Sequence, residues 1–342
     1  MGSIPEFSSE FNERHSTLVK RLLHTLSENS RAKINDISKS TGVSRRTITL
    51  KLNAMERELK INYTLEFNEE KLGLARPHLI LARFNSKPDY GRIRRLLEGS
   101  HIPQMAASIN GTYDLLIYAN ALSGQEYAHW DKKMQTLLSE YKVEWYASEV
   151  VHRQLGFFPL RNEIIERMPI KERYKKMLTI LNSNSRIRFQ ELAKELGMNV
   201  NTASYNFNNL LKLDYIKSFT ISIDAPKNVS LMTFFSKYVP SEGYERASAI
   251  ARECFTGDDD NPLISRYLIT APLIGSYDFF TLGAFDDFKT AYKNDVLFHR
   301  NIFRRYGIKM AYGEIKELLI GKLPIRSMDT KRGYKTIIWS TE

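Results

Sequence analysis

The strongest constraint on this chain is that one of its segments occurs twice. Asn29-Ser30-Arg31 recurs as Asn184-Ser185-Arg186, an offset of 186 − 31 = 155, and the residues that follow keep their pattern without a gap. Ile34 meets Phe189, Asp36 meets Glu191, Ile37 meets Leu192 and Gly42 meets Gly197. Further on, Val43 meets Met198, Thr47 meets Thr202, Leu52 meets Phe207 and Ile61 meets Ile216. Core-type positions match in kind and the turn glycine matches in identity. This is an internal repeat, and it has to be settled before any fold is assigned.

The first copy reads as a short helix carrying Ile34 and Ile37, a tight turn at Thr41-Gly42-Val43, and a second helix opened by Ser44. Serine suits that position because its hydroxyl can accept from an orphan N–H of the first turn. Ile48, Leu52, Met55 and Leu59 recur at three- and four-residue steps and give one apolar face; Arg45, Arg46, Thr49, Lys51, Asn53 and Arg57 lie opposite. Two helices joined by a glycine turn, the second one basic, describe a helix-turn-helix that reads DNA; the alternative is a helical hairpin with a solvated basic face. A formal net charge of +11 and a pI near 9.4 favour a polyanionic partner, without separating DNA, RNA and anionic lipid. A single cysteine, Cys254, excludes an intramolecular disulfide and a cysteine metal cluster, and suits a reducing cytoplasm. The apolar runs are strand-length, so no membrane span is expected, and residues 1–9 lack a signal-peptide pattern.

Along the chain, residues 11–28 supply a first helix through Leu18, Leu22, Leu23 and Leu26, and Ile61, Tyr63, Leu65 and Phe67 alternate as a short strand or wing. From residue 78 the period becomes two. Strands at 78–84, 105–109, 113–120 and 143–151 alternate with helices at 89–97 and 123–141, the order β-α-β-β-α-β of a ferredoxin-like unit. Pro159 and Pro169 mark a connector, after which the helix-turn-helix and its wing (216–223) recur. The second βαββαβ set spans strands at 230–238, 264–270, 277–284 and 308–318, with helices at 243–254 and 288–298. Gly275-Ser276-Tyr277-Asp278 answers Gly111-Thr112-Tyr113-Asp114 at an offset of 278 − 114 = 164, and Leu323-Pro324-Ile325-Arg326 answers Phe158-Pro159-Leu160-Arg161. The expected class is α+β, with two winged helix-turn-helix domains (11–67 and 172–223) alternating with two ferredoxin-like βαββαβ domains (76–155 and 228–322). A linker (156–171) and a tail (323–342) complete the chain, and Thr336 to Trp339 in the tail is an expected sheet edge through which a homodimer can form.

A winged helix-turn-helix with Gly42-Val43-Ser44, a hinge from Phe67 to Leu74 ending in Leu-Gly-Leu, and βαββαβ units with Gly-x-Tyr-Asp between their middle strands resembles the Lrp/AsnC family of archaeal and bacterial transcription regulators. The resemblance covers about residues 15–155 and 172–320. It implies a double-stranded DNA partner, a domain that binds a small-molecule effector, and no cofactor or metal. It places ligand contact at Gly111, Tyr113, Asp114, Gly275, Tyr277 and Asp278, where ordinary turn chemistry is the competing explanation. Family members of one unit dimerise, whereas this tandem chain can imitate a dimer by itself. The second copy has Asp224-Ala225-Pro226 in place of the hinge.

The DNA-facing candidates are Ser44, Arg45, Arg46, Thr47, Thr49, Lys51, Asn53 and Arg57 in the first copy, and Asn199, Asn201, Thr202, Ser204, Tyr205 and Asn206 in the second. Arginine grips phosphate and guanine, while asparagine pairs with adenine. The two halves should therefore read unlike half-sites, unless the second has become scaffold. Sirohaem decarboxylases of haem biosynthesis share the two-domain unit and can be fused in tandem, and this makes an enzyme the alternative. Their resemblance calls for a His-Asn-Tyr signature, and the matching stretch here, Ala106-Ala107-Ser108-Ile109-Asn110, has no histidine. His152 and Arg153 are the nearest substitutes. RNA binding through exposed aromatics is a third class, set against core spacing at Phe234, Phe235, Phe279 and Phe280.

Overall fold

The computed structural model describes residues 9–58, 60–151, 156–224, 230–237, 267–285, 309–325, 327–330 and 333–336. Helices α1 (Ser9–Glu28), α2 (Ile34–Thr41) and α3 (Arg45–Glu58) lead into strand β1 (Asn62–Phe67). Leu22, Leu23 and Leu26 of α1 are buried with Ile37 of α2 and Ile48, Leu52 and Met55 of α3, so the apolar stripe read from the sequence is the core of this unit. Next come β2 (His78–Phe84), α4 (Tyr90–Glu98), β3 (Pro103–Gly111), β4 (Leu115–Ala119), α5 (Gly124–Leu137) and β5 (Val143–Val150), in the expected βαββαβ order. Asp89 caps α4 by accepting from Arg92 N at 3.0 Å, and Ser123 caps α5 by accepting from Glu126 N at 3.1 Å.

The one-turn α6 (Asn162–Ile165) precedes α7 (Glu172–Ser183), α8 (Phe189–Glu195), α9 (Val200–Lys212) and β6 (Ile216–Ile223), which repeat the order of the first unit. The remaining strands are β7 (Ser230–Lys237), β8 (Tyr267–Gly275), β9 (Phe279–Phe285), β10 (Lys309–Ile320), β11 (Leu323–Ile325), β12 (Ser327–Thr330) and β13 (Gly333–Thr336). The helices expected at 243–254 and 288–298, and Ile337 to Trp339 of the tail, lie outside the described residues. Thr336 pairs with Ser327 in the β12–β13 hairpin.

Two departures from the sequence reading matter. First, the two strand sets do not stand as separate sheets. Among the described residues they close one barrel in the order β10-β3-β4-β2-β5-β8-β9-β7, joined by β3 against β10 and by β5 against β8. Second, residues 156–160 are not a plain linker. Phe157 and Phe158 are 2% exposed, and Phe158 stacks on Tyr118 with ring centroids 3.9 Å apart and reaches Phe280 at 6.4 Å. The joining segment thus contributes a side chain to the barrel core and ties both strand sets to it. The tail also begins inside the fold, since Leu323–Ile325 pairs with β6 in a sheet of order β1-β6-β11.

The wings pair with each other. In the antiparallel β1–β6 ribbon, Asn62 faces Ser222, Thr64 faces Thr220 and Leu65 faces Phe219. Around the ribbon the contacts are reciprocal. Ser30 N donates to Phe219 O at 2.8 Å, and Ser185 N donates to Tyr63 O at 2.9 Å. Tyr63 and Phe219 therefore play the same part, at an offset of 219 − 63 = 156 rather than 155, so the alignment slips by one residue at the wing. The fully buried hydroxyls of Ser30 and Ser185 meet at 2.5 Å. Arg31 crosses to the second unit, donating to Ser185 O and lying 5.3–5.6 Å from the ring centroids of Phe207, Phe189 and Phe219. Arg186 crosses back over Tyr63 at 5.1 Å. Burial, and then the neighbouring charge of Arg186, push the Arg31 guanidinium below its usual value.

Replacing Arg31 by alanine should cost about 2–3 kcal/mol, through desolvated cation–π contacts and charge-assisted hydrogen bonds lost together. Lysine should restore little of it, because a point charge cannot keep the planar contacts. Urea denaturation checks this against Arg76→Ala, whose exposed 2.7 Å pair with Glu149 should be worth less than about 1 kcal/mol.

Candidate nucleic-acid interface

The second helix of each helix-turn-helix is built as expected at its start. Ser44 Oγ accepts from Thr47 N at 3.2 Å, and Asn199 Oδ1 accepts from Thr202 N at 2.8 Å. Both caps satisfy orphan N–H groups, so the side chain of Asn199 is occupied by its own helix. On α3 the side chains of Arg45, Arg46, Thr47, Asn53 and Arg57 are exposed, while Thr49 and Lys51 are half-buried. Arg45 Nη1 donates to Asn35 Oδ1 at 3.2 Å and Arg57 Nε donates to Asn53 O at 3.2 Å, whereas Arg46 has no ion-pair partner among the described residues. On α9, Asn201, Thr202 and Tyr205 are exposed and Ser204 is half-buried.

Asn206 departs from the expectation. It is 3% exposed, and its Nδ2 points to Met198 Sδ at 3.7 Å, so it packs under the turn and does not face outward. Its position explains this. Asn206 stands three residues after Ala203 and four before Leu210, both buried, and so belongs to the inward stripe despite its polar side chain.

The sequence reading missed Leu50. Its side chain is 62% exposed, and at an offset of 205 − 50 = 155 stands Tyr205, 65% exposed. Leu50 is four residues after Arg46 and three before Asn53, so it shares their face. Two large apolar or aromatic side chains held in water at the same point of α3 and α9 have no packing role among the described residues. In a major groove such a side chain meets thymine methyl groups. The signal was present: Leu50 falls outside the 48-52-55-59 stripe.

The expected effector turns have a different geometry from an open pocket. Tyr113 and Tyr277 hydrogen-bond to each other through their hydroxyls inside the barrel, with Tyr146 edge-on to Tyr113 at 5.2 Å. Burial, then the bond to Tyr113, raise the Tyr277 phenol well above its ordinary value. Asp114 Oδ2 accepts from Phe84 N at 2.7 Å, and Asp278 Oδ1 lies 3.0 Å from Lys237 Nζ. The glycines sit at the two barrel seams. A Cβ on Gly111 would lie 2.2 Å from Tyr312 O, and one on Gly275, at φ +140°, would lie 2.7 Å from Ala147 O. Close backbone approach is what these glycines permit.

Residues 173–217 match the winged helix-turn-helix DNA-binding family. A search of curated protein sequences found no match. Among solved structures, the chain is similar to the siroheme decarboxylase NirDL, with 13% identity and a TM-score of 0.56 over 89% of this chain and 92% of that one. The same enzyme in complex with an iron-uroporphyrin III analogue gives 13% identity and 0.55 over 92% and 94%. LrpC of B. subtilis gives 19% identity and 0.34 over 40% and 93%. At 13% identity the NirDL likeness shows a shared fold. Among the described residues, no helix is long and apolar enough to cross a membrane.

Leu50→Ala and Tyr205→Ala should each change stability by no more than about 0.5 kcal/mol, whereas Asn206→Ala should cost about 1 kcal/mol or more. Parallel urea melts of the three variants distinguish an outward face from an inward one.

Proposed function

We propose that the chain is a tandem Lrp-like transcription regulator, a duplicated unit folded as a pseudo-dimer that binds double-stranded DNA and reads two unlike half-sites. The observation that carries this reading is the outward face of α3, where Arg46 stands exposed beside Leu50 and Asn53 with no ion-pair partner among the described residues. Support comes also from the family match of the second unit and from the wing ribbon, which joins the two winged units. In this reading α3 supplies most of the salt-dependent grip, and α9, with Asn201, Thr202 and Tyr205, supplies readout that is mainly uncharged.

A second reading is a tetrapyrrole decarboxylase. It is favoured by one observation, the likeness to NirDL over nearly the whole chain. Titration with iron uroporphyrin tests it: a saturable shift of the Soret band at stoichiometric protein would support that reading, and an unchanged spectrum would count against it.

The regulator reading is tested by binding to duplex DNA from its own upstream region across a salt series. Arg46→Ala should weaken binding about tenfold and lower the slope of log K against log salt by about 1, as for loss of one phosphate contact. Binding indifferent to sequence, salt and Arg46 would reject it.

A further inference from the structure

One exposed leucine is ordinary on a protein surface, but the same exposure at the same point of both copies of a repeat is not. Leu50 stands two residues from Ile48 and from Leu52, both buried, and Tyr205 stands two from Ala203 and from Phe207, both buried. At about 100° of turn per residue, each lies on the side of its helix opposite the core. Further positions complete that side. Arg46, Asn53 and Arg57 flank Leu50 at steps of four, three and seven, Asn201, Asn208 and Lys212 flank Tyr205 at the same steps, and all of them are exposed. Both outward faces thus carry one large side chain in the middle, an asparagine beyond it and a cation at the far end.

The make-up of the face selects its occupant. A protein partner or a bilayer seated on Leu50 would have to bury Arg46, Asn53 and Arg57 around a single apolar side chain, and a second copy of the same face would bring like charges together. A polyanionic duplex reverses both costs. Its phosphates line the groove edges, where cations reach them, and its major-groove floor offers an apolar group, the C5 methyl of thymine. RNA provides neither access nor target, since its deep, narrow major groove excludes side chains and uracil has no C5 methyl. Leu50 is also the sixth residue of α3 (Arg45–Glu58), within the N-terminal half that a recognition helix presents to base edges.

We propose that Leu50 is a specificity-determining residue that reads a thymine methyl group in the first half-site, with Tyr205 at the matching place in the second. This assignment rests on the regulator reading and deepens it, from duplex DNA in general to a required thymine. The contact is apolar and uncharged, so it adds sequence preference without adding to the salt dependence that the arginines supply. Taking one methyl group out of water against Leu50 is worth about fourfold in affinity.

Duplexes selected by the full chain from a random pool, resynthesised with deoxyuridine in place of each thymine in turn, test the assignment by fluorescence anisotropy. In the half-site weakened by Arg46→Ala, one uracil should cost the wild type about fourfold in affinity. Leu50→Ala should bind the thymine and uracil duplexes equally, and its salt slope should match that of the wild type. Tyr205→Ala should leave the uracil penalty at that position in place. The absence of any uracil position that Leu50→Ala equalises overturns the assignment while DNA reading stands. A penalty that Tyr205→Ala removes equally, or a salt slope altered by Leu50→Ala, overturns it as well. Failure to select any duplex overturns the regulator reading itself, and the thymine assignment with it.

Discussion

The antiparallel pairing of β1 with β6 is the contact on which the rest of the molecule depends. A lone wing beside three helices leaves open strand edges. Here each wing covers an edge of the other, and Leu323–Ile325 covers the outer edge of β6. That pairing brings the Asn-Ser-Arg turns of the two units face to face, so Arg31 lies among aromatic rings of the second unit and Arg186 over Tyr63 of the first. Arg31 is held by the carbonyls of Ser185 and Ile187 and by three ring faces, while Arg186 has the Ala32 carbonyl at 3.5 Å and the Tyr63 ring, so each cation is received by the opposite unit. The same crossing joins the two winged units, and any paired action of α3 and α9 depends on it.

The barrel makes the arrangement hard to undo. Its seams, β3 with β10 and β5 with β8, join strands from opposite ends of the chain, and Tyr113 and Tyr277 bond across its interior. Phe158 threads into the same core from the segment that leads to the second winged unit. Separating the halves would expose the continuous ring contacts Tyr118–Phe158–Phe280–Phe235–Tyr277–Tyr113–Tyr146 as well as the wing edges. One hydrophobic core therefore serves strands that, read singly, look like two domains.

Local structure was legible and long-range pairing was not. The buried stripe at Ile48, Leu52 and Met55, the cap at Ser44 and the βαββαβ order of residues 78–150 follow from spacing and side-chain chemistry within a few residues. The partner of a strand carries no such mark: alternation at Asn62–Phe67 says that one face is distinct, not that the strand pairs with residues 216–222. Gly-x-Tyr-Asp gives the same sequence signal whether it lines a ligand or closes a seam, and the close approach at Gly111 and Gly275 is visible only in three dimensions. Asn206 and Leu50 escape a reading by residue type for one reason. Polarity alone places an asparagine outside and says nothing of an outward leucine, whereas helical position buries Asn206 and exposes Leu50.

The central claim is that the two reading helices act as a fixed pair on duplex DNA. Selection of bound duplexes from a random pool, followed by hydroxyl-radical footprinting, tests it directly. The account predicts two protected segments on one face of the duplex, about 10 base pairs apart centre to centre and unlike in sequence, with only one of them weakened by Arg46→Ala. A single protected segment, or two identical ones equally sensitive to that substitution, would contradict it.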